Sequence, residues 1–247
     1  NYIVGDIGNT STRICLLNED YKIIKSIIFD TKKIFNKIFI NRTLKKILKK
    51  TVKKEILFSS VVPIGFKKIK NFFKGSKYKV LEIKELDLKK LIKINIRNIK
   101  QVGSDRIVNS IAGKKLKNFL IIDFGTATTF DIVKNGIYEG GVIAPGVKLS
   151  MMNLSQSTAS LPMFNLQKNQ KSYGKNTKDA LNAGFIWGYE GLINNIINKI
   201  TLKWNMKYKI VLTGGYATLF KKIIKKQTIV DQDITIKGIS IIYKELI

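Results

Sequence analysis

The sequence predicts an α/β protein with two similar halves, each built on a mixed β-sheet. A short motif occurs twice, similar strands and helices follow each copy, and no low-complexity linker separates the halves. Residues 3–12 and 120–129 both run from an apolar strand into Asp-x-Gly and then into small polar residues. Such an internal repeat indicates a duplicated structural unit. The matched positions are Asp6 with Asp123, Gly8 with Gly125, and Thr12 with Thr129.

The first half reads as three strands, a helix and a further strand. Turn residues at Asn9-Thr10 and Asn18-Glu19-Asp20 separate strands expected over 3–8, 12–18 and 21–29. Apolar residues spaced by three and four predict a helix over 31–50. The expected elements that follow are a strand over 55–62, a short helix over 66–73, a strand over 78–83 and a helix over 106–116.

The second half repeats this order. Strands are expected over 119–124, 128–133 and 137–143, helices near 147–155 and over 177–200, and a strand over 209–213. Strand-strand-strand-helix-strand is the order of a ribonuclease-H-like unit. We therefore expect duplicated ribonuclease-H-like domains with mixed sheets, over 1–116 and 117–247, packed with a cleft between them.

Composition indicates a globular cytoplasmic protein. The chain has 247 residues, of which 45% are hydrophobic, and no apolar run reaches the ~18 residues that span a bilayer. Its first residues lack the features of a signal peptide. Cys15 is the only cysteine, which is typical of a reducing compartment and more consistent with a small core residue than with a reactive one. No membrane partner is expected.

The absence of histidine restricts the chemistry. Ser-His-Asp and Cys-His catalysis and histidine–zinc sites are excluded. A general base would be a carboxylate, and a bound metal would be a hard cation with oxygen ligands.

The net charge of +28 raises the possibility of nucleic-acid binding. Nearly all of the charge comes from lysines scattered along the chain, without the aromatic residues that stack on bases. We expect a solvated basic surface and no nucleic-acid partner. A nucleic-acid binder remains an alternative, and it predicts steeply salt-dependent binding.

The repeated motif has the chemistry of a phosphate-binding loop. Glycine lets backbone N–H groups approach an anion. Uncharged donors are offered by Asn9, Thr10, Thr126, Thr128 and Thr129. Asp6 and Asp123 would repel bare phosphate, so a cation is expected between carboxylate and phosphate. An ordinary hairpin turn is the alternative for either copy alone.

Six motifs, in order and covering nearly the whole chain, resemble type III pantothenate kinases. The family belongs to the acetate and sugar kinase/Hsp70/actin superfamily, whose actin-like ATPase fold agrees with the duplication. The resemblance implies ATP-dependent phosphorylation of pantothenate to 4'-phosphopantothenate, the first step toward coenzyme A. The motifs are Asp6-Ile-Gly-Asn-Thr10, Gly103-Ser-Asp-Arg106, Asp123-Phe-Gly-Thr-Ala-Thr-Thr129, Gly140-Gly-Val-Ile-Ala-Pro-Gly146, Gly174-Lys-Asn-Thr177 and Thr213-Gly-Gly215.

The resemblance also implies cofactors and a partner. Mg²⁺ or another divalent cation would be held by Asp6 through water, and K⁺ or NH₄⁺ would be held by Asp123. The enzyme would be a homodimer in which Thr177 reaches the partner subunit's pantothenate. The residues expected to bind ATP are Asp6, Ile7, Gly8, Asn9, Thr10, Ser11, Thr12, Arg13 and Thr126.

The resemblance places the substrate site at Gly103, Ser104, Asp105 and Arg106. Asp105 would be the general base that takes the proton from the pantothenate hydroxyl, and the Arg106 guanidinium matches the substrate carboxylate. Capping of the following helix is the alternative for Asp105, as it is for the segment ending at Thr177. A surface cation or salt bridge is the alternative for Arg13 and Arg106.

One segment departs from the family pattern. The family usually has Tyr-x-Asn-Pro ahead of Gly-x-Asp-Arg, and this chain has Ile96-Arg-Asn-Ile99. Asn98 is kept, but Ile96 replaces the tyrosine that contacts pantothenate in the family. The change at Ile96 bears on substrate affinity and leaves the residues for phosphoryl transfer in place. A non-catalytic regulatory relative is the alternative function, because some members of this family are described as regulatory accessory factors, although Asp6, Asp105 and Asp123 argue for catalysis. A sugar or acetate kinase lacks support, because no substrate-domain insertion is evident.

Overall fold

A computed structural model describes residues 1–48, 53–167 and 172–247, which form two compact units. The first unit comprises Asn1–Lys117, Lys134–Glu139 and Asp233–Ile247, and the second comprises Asn118–Val133 and Gly140–Gln232. The sequence analysis divides the domains between residues 116 and 117. By contacts, the C-terminal segment lies instead with the first unit.

The strands form two sheets with the same plan. The first sheet has the order β3-β2-β1-β4-β5, and the second has the order β11-β10-β7-β8-β9-β6. The strands are β1 (Tyr2–Ile7), β2 (Ser11–Leu17), β3 (Ile23–Asp30), β4 (Glu55–Ser60), β5 (Lys79–Glu82), β6 (Lys93–Ile94), β7 (Phe119–Phe124), β8 (Ala127–Lys134), β9 (Ile137–Pro145), β10 (Lys209–Gly214) and β11 (Thr228–Val230).

Each sheet is mixed in the same way. In the first, β1 pairs antiparallel with β2 and parallel with β4. In the second, β7 pairs antiparallel with β8 and parallel with β10. Read from β9, the second order is β9-β8-β7-β10-β11, which repeats that of the first sheet. The predicted duplicated ribonuclease-H-like fold is therefore confirmed.

Helices cover the sheets. They are α1 (Lys37–Leu48), α2 (Pro63–Phe72), α3 (Ser104–Ala112), α4 (Val147–Gln156), α5 (Thr177–Thr201), α6 (Ala217–Phe220) and α7 (Ile234–Leu246). Among the described residues, none of these helices is long and apolar enough to cross a membrane.

The alternating strands of the first unit place different chemistry on the two sheet faces. Ile3 and Ile7 of β1 lie in a core that also contains Leu44 and Ile47 of α1. Because side chains alternate along a strand, Asp6 points to the opposite face. There α7 contacts β1 and β4, and α3 packs against α7.

The second unit has its own apolar core between its sheet and α4, α5 and α6. The apolar residues of α5 pack largely into this core. Tyr189, Ile193 and Ile197 are buried there, with Phe185, Leu192 and Ile196 packed against them.

Some predicted boundaries were wrong. A 3₁₀ helix over Thr31–Phe35 precedes α1, because Asn36 interrupts the helix and its side chain accepts from the N–H of Phe39 at 3.0 Å. Residues 49 and 50 of the predicted helix lie outside the described residues. The strand predicted to reach residue 62 ends at Ser60, and α2 already begins at Pro63, since proline suits the first turn of a helix.

Three elements after residue 215 were not predicted from the sequence: α6, β11 and α7. Strand β6 was not predicted either, because it is too short to show periodicity. Helix α7 has long-range contacts with α3, β1 and β4. Local periodicity carries no information about such partners.

Gly238 of α7 should be essential for the close crossing of α3 and α7. A Cβ at this position would collide with the carbonyl oxygen of Val108 in α3. We expect Gly238→Ala to lower the free energy of unfolding by about 1–3 kcal/mol, because the two helices must separate. Gly191→Ala in α5 is the control, since Gly191 is exposed and a Cβ there meets nothing within 4 Å. Urea denaturation measures both, and equal stability of the two variants would contradict this packing.

Candidate active site

Asp6 lies at the end of β1, at the centre of the first sheet. In the strand register it pairs with Arg13 of β2 and Ser59 of β4. Burial raises the pKa of Asp6 to about 7, the nearby Asp105 carboxylate adds to this, and Ser59 and Arg13 act in the opposite direction. Near neutral pH this carboxyl group is therefore poised to hold either a proton or a cation.

The loop that follows β1 is braced from within the first unit. The N–H of Gly8 donates to the carbonyl of Ser11 at 3.0 Å, and the N–H of Thr31 donates to the carbonyl of Thr10 at 2.9 Å. The hydroxyl of Thr31 donates to the carbonyl of Gly8 at 2.7 Å. Asn9, Thr10 and Ser11 remain exposed. The loop thus presents polar side chains on a fixed backbone.

The register corrects one detail of the internal repeat. Ile7 pairs with Thr12 in the first hairpin, and Phe124 pairs with Thr128 in the second. The second loop is therefore one residue shorter, so Thr128, not Thr129, corresponds to Thr12.

Thr12 and Thr128 support their loops in the same way. Both are fully buried. Because Thr31 donates its only hydroxyl proton to Gly8, Thr12 must donate in the 3.0 Å bond between the Thr12 and Thr31 hydroxyls. Thr128 donates to the carbonyl of Pro145 at 3.0 Å. Two of the residues expected to bind ATP, Thr12 and Ile7, are thus fully buried and support the loop from the interior of the unit.

Arg13 is anchored by two side chains. Its Nε donates to the hydroxyl of Ser26 at 2.9 Å, and its Nη2 lies 2.6 Å from Asp233 Oδ1. Asp233 immediately precedes α7. The C-terminal segment therefore anchors the Arg13 guanidinium, and Arg13 is paired with Asp6 on the adjacent strand.

Asp105 lies in the first turn of α3. The N-cap of this helix is Gly103, and Asp105 Oδ1 accepts from the N–H of Arg106 at 2.8 Å. A Cβ on Gly103 would collide with Asp105 Oδ1, so glycine makes room for the carboxyl group. Burial raises the pKa of Asp105, and the Arg106 N–H, the Arg106 charge and the Lys84 charge partly oppose this.

Asp6, the following loop and the start of α3 thus lie in one unit. The Asp105 carboxylate contributes to the raised pKa of Asp6, so the two charges interact electrostatically within this unit. The half-buried Arg106 accompanies them. This arrangement can bind a cation and an anionic group beside a carboxylate base.

Glu82, at the end of β5, is a half-buried residue of the site that carries no sequence motif. It accepts a 2.6 Å hydrogen bond from the hydroxyl of Ser104, the residue before Asp105. Its position at the end of a predicted strand was the only local signal, because Ser104 lies 22 residues away in the chain. Asp233, Ser59 and Thr31 were missed for the same reason.

The second unit places Asp123 beside a glycine turn. Asp123 pairs in register with Thr213 of β10. The next residue, Gly214, has φ of +84°, and a Cβ there would lie 2.6 Å from Asp123 Oδ1. A positive φ favours glycine, and no side chain fits in this space. The Thr213-Gly-Gly215 turn thus requires glycine at position 214, beside the Asp123 carboxylate.

Other predicted residues occupy helix starts and turns. Thr126 is exposed in the β7–β8 turn, and Gly146 lies against its carbonyl. Thr177 is the exposed first residue of α5, whose N-cap is Asn176. Capping therefore falls to Asn176, and Thr177 is available for another role.

The segment that departs from the family pattern is partly exposed. Asn98 is exposed and caps a 3₁₀ turn by accepting from the N–H of Lys100 at 3.0 Å. Ile96 is half-buried.

The side chains present suit a hard cation that takes few ligands from the protein and most from water and substrate. No group of three or more His, Cys, Asp or Glu side chains in the described part of the chain could hold a metal ion. Asp6 nevertheless offers carboxylate oxygens beside the loop. This fits Mg²⁺, which keeps several waters and substrate phosphates as ligands.

The comparisons with known proteins agree with these motifs. The sequence model of type III pantothenate kinases matches residues 2–199. The chain belongs to the type III pantothenate kinase family. The resemblance drawn from the motifs is therefore confirmed.

Two relatives extend the match over almost the whole chain. A type III pantothenate kinase from Pelagibacter ubique is 51% identical over 240 residues, with 96% of each chain covered. Another, from a Sulfurihydrogenibium species, is 36% identical over 247 residues, covering 95% of this chain and 96% of the relative.

A solved structure supports the fold. A Campylobacter jejuni protein described as a Baf family transcriptional activator is similar with a TM-score of 0.65, at 22% identity and with 98% of each chain covered. At this identity the similarity shows the fold alone.

The raised pKa of Asp6 predicts a specific pH dependence of stability. Between pH 3.8 and about 7 the native state holds more protons than the unfolded state, so the free energy of unfolding falls as the pH rises through this window. Asp6→Asn removes this loss. We expect the stability of the variant relative to wild type to increase by about 1–2 kcal/mol from pH 5 to pH 8, since residual solvent contact reduces the effect.

Urea denaturation in EDTA measures this difference. Asp20→Asn is the control, because Asp20 is exposed in the turn after β2. A constant difference between Asp6→Asn and wild type at both pH values would contradict the assignment.

Proposed function

We propose that the protein transfers the γ-phosphoryl group of ATP to pantothenate and forms 4'-phosphopantothenate and ADP, with Asp105 as general base. Membership of the type III pantothenate kinase family supports the reaction. The observation that carries the residue assignment is the half-buried Asp105 carboxyl group in the first turn of α3, whose charge acts on Asp6. The one cysteine of the chain is consistent with work in the reducing cytoplasm.

The base chemistry follows from the surroundings of Asp105. Burial raises its pKa, which makes the carboxylate a stronger proton acceptor than an exposed aspartate. It takes the proton of the pantothenate hydroxyl as the hydroxyl oxygen bonds to the γ-phosphorus. The bond from that phosphorus to the β–γ bridging oxygen breaks, and ADP leaves with the electron pair.

The remaining residues bind and neutralise charge. Bound Mg²⁺ would neutralise phosphate charge, with Asp6 holding it through water. Asn9, Thr10 and Ser11 offer exposed donors for the phosphates, and Arg13 adds positive charge beside Asp6. Arg106 binds the pantothenate carboxylate through its planar guanidinium, and Gly103 leaves room for the base.

Two residues of the second unit, Asp123 and Thr126, have proposed roles of their own. Asp123 holds K⁺ or NH₄⁺, and Thr126 contacts the nucleotide. The exposure of Thr126 and the glycine turn beside Asp123 support these roles.

The active form is proposed to be a homodimer in which Thr177 contacts the pantothenate of the partner subunit. The second unit supports this with an apolar groove of ≈340 Å³, lined in part by Gly184, Gly188 and Leu192 of α5. Trp187, on the same helix, is 44% exposed. Large exposed apolar groups often mark protein interfaces. Light scattering that finds only monomer at micromolar concentration would contradict the homodimer.

ADP release in the presence of ATP, Mg²⁺ and pantothenate tests the function. We expect turnover that requires pantothenate and that is higher with K⁺ or NH₄⁺ than with Na⁺ alone. Asp105→Asn should lower kcat by about 100-fold or more, because it removes the proton acceptor and preserves the shape. Asp87→Asn, at an exposed carboxylate, should keep wild-type kcat.

Two results would contradict the proposal. Wild-type protein without pantothenate-dependent ADP release would favour the regulatory alternative, and substitution of Ile96 by Tyr would then test for lost substrate affinity. Full activity of Asp105→Asn would exclude Asp105 as the base.

A further inference from the structure

The carboxyl group of Glu82 connects three elements of the first unit. Oε1 accepts the hydroxyl of Ser104 at 2.6 Å and lies 3.4 Å from the backbone N of Ser60. Oε2 accepts the N–H of Lys84 at 2.7 Å. One side chain therefore joins the end of β5, the end of β4 and the first residue of α3.

The bond to Ser104 is the strongest of these contacts. The hydroxyl of Ser104 also lies 3.1 Å from the carbonyl of Ser60, but its single proton goes to the nearer, charged acceptor. Hydroxyl–carboxylate bonds of about 2.5–2.7 Å are among the strong hydrogen bonds of proteins. Ser104 is fully buried, so its hydrogen bond is shielded from solvent.

A carboxylate is costly in this position. Burial raises the pKa of Glu82, and its hydrogen bonds and the Lys84 charge only partly compensate. A group that stabilised the fold alone could be apolar. The carboxylate accepts a directional hydrogen bond from Ser104, which an apolar residue could not do.

We propose that Glu82, acting through Ser104, is the positioning residue for the catalytic base Asp105. Ser104 and Asp105 are successive residues in the first turn of α3. Fixing the hydroxyl of Ser104 fixes the backbone from which the Asp105 carboxyl group extends. Small displacements of a catalytic group cost large factors in rate. This inference rests on the proposed function of Asp105.

Kinetics of four variants test the inference. Glu82→Ala and Ser104→Ala should each lower kcat by about 10-fold or more, with KM for ATP changed less than about twofold, because the base moves and the phosphate loop does not. Glu82→Gln keeps an acceptor for Ser104 and should retain kcat within about threefold. Glu85→Ala is the matched control, since Glu85 is exposed and pairs with Lys70 at 2.9 Å.

The Asp105→Asn background separates positioning from general damage. If Glu82 acts through Asp105, adding Glu82→Ala to Asp105→Asn should lower the residual kcat less than about twofold. A further 10-fold loss would show a merely structural role and overturn the inference. If Glu82→Ala does not fold, the same comparison with Ser104→Ala decides.

The failure of the inference and the failure of the proposed function look different. Active wild-type enzyme with unchanged kcat in Glu82→Ala and Ser104→Ala would overturn the role of Glu82 alone. Wild-type protein without pantothenate-dependent turnover would overturn both.

Discussion

The neighbouring carboxyl groups of Asp6 and Asp105 are the constraint on which the site in the first unit depends. Burial makes ionisation of each group unfavourable, and the charge of Asp105 raises the pKa of Asp6 further, to about 7. Two carboxylates in such a place require compensating positive charge. Arg13 supplies part of it, and a divalent cation would supply more. The unfavourable ionisation of the two carboxyl groups is thus linked to the capacity of the site to bind a cation for phosphoryl transfer.

The surrounding structure holds this pair in place. Asp233, just before α7, fixes Arg13, and Glu82 binds Ser104 at the start of α3. Both supporting residues come from parts of the chain far from the motifs. The C-terminal segment therefore contributes to the site as well as to the core, where α7 packs closely on α3 at Gly238.

The sequence predicted the features that depend on local patterns. Asp6 and Asp123 were found because the same motif follows an apolar strand twice, and this repeat also predicted the shared strand order. The pairing of Thr12 with Thr129 was wrong, since loop length is set by hairpin register and the second loop is one residue shorter.

Long-range contacts could not be predicted in this way. Glu82 and Asp233 belong to no motif. Ser104, the partner of Glu82, lies 22 residues away, and Arg13, the partner of Asp233, lies near the other end of the chain. Similarly, Asn36 divides a run of helical periodicity, because its side chain competes with the backbone for a hydrogen bond. Motifs thus identify reactive groups, whereas the residues that orient them follow only from the fold.

The pKa of Asp6 in wild type and in Asp105→Asn, measured by carbon-detected NMR titration without nucleotide or metal, tests most directly whether the two carboxyl groups form one site. The account predicts that the pKa of Asp6 is about 7 in wild type and falls when the Asp105 charge is removed. It should stay above its ordinary value, because burial persists. An identical pKa in both proteins would show that the carboxyl groups are independent and would contradict the account.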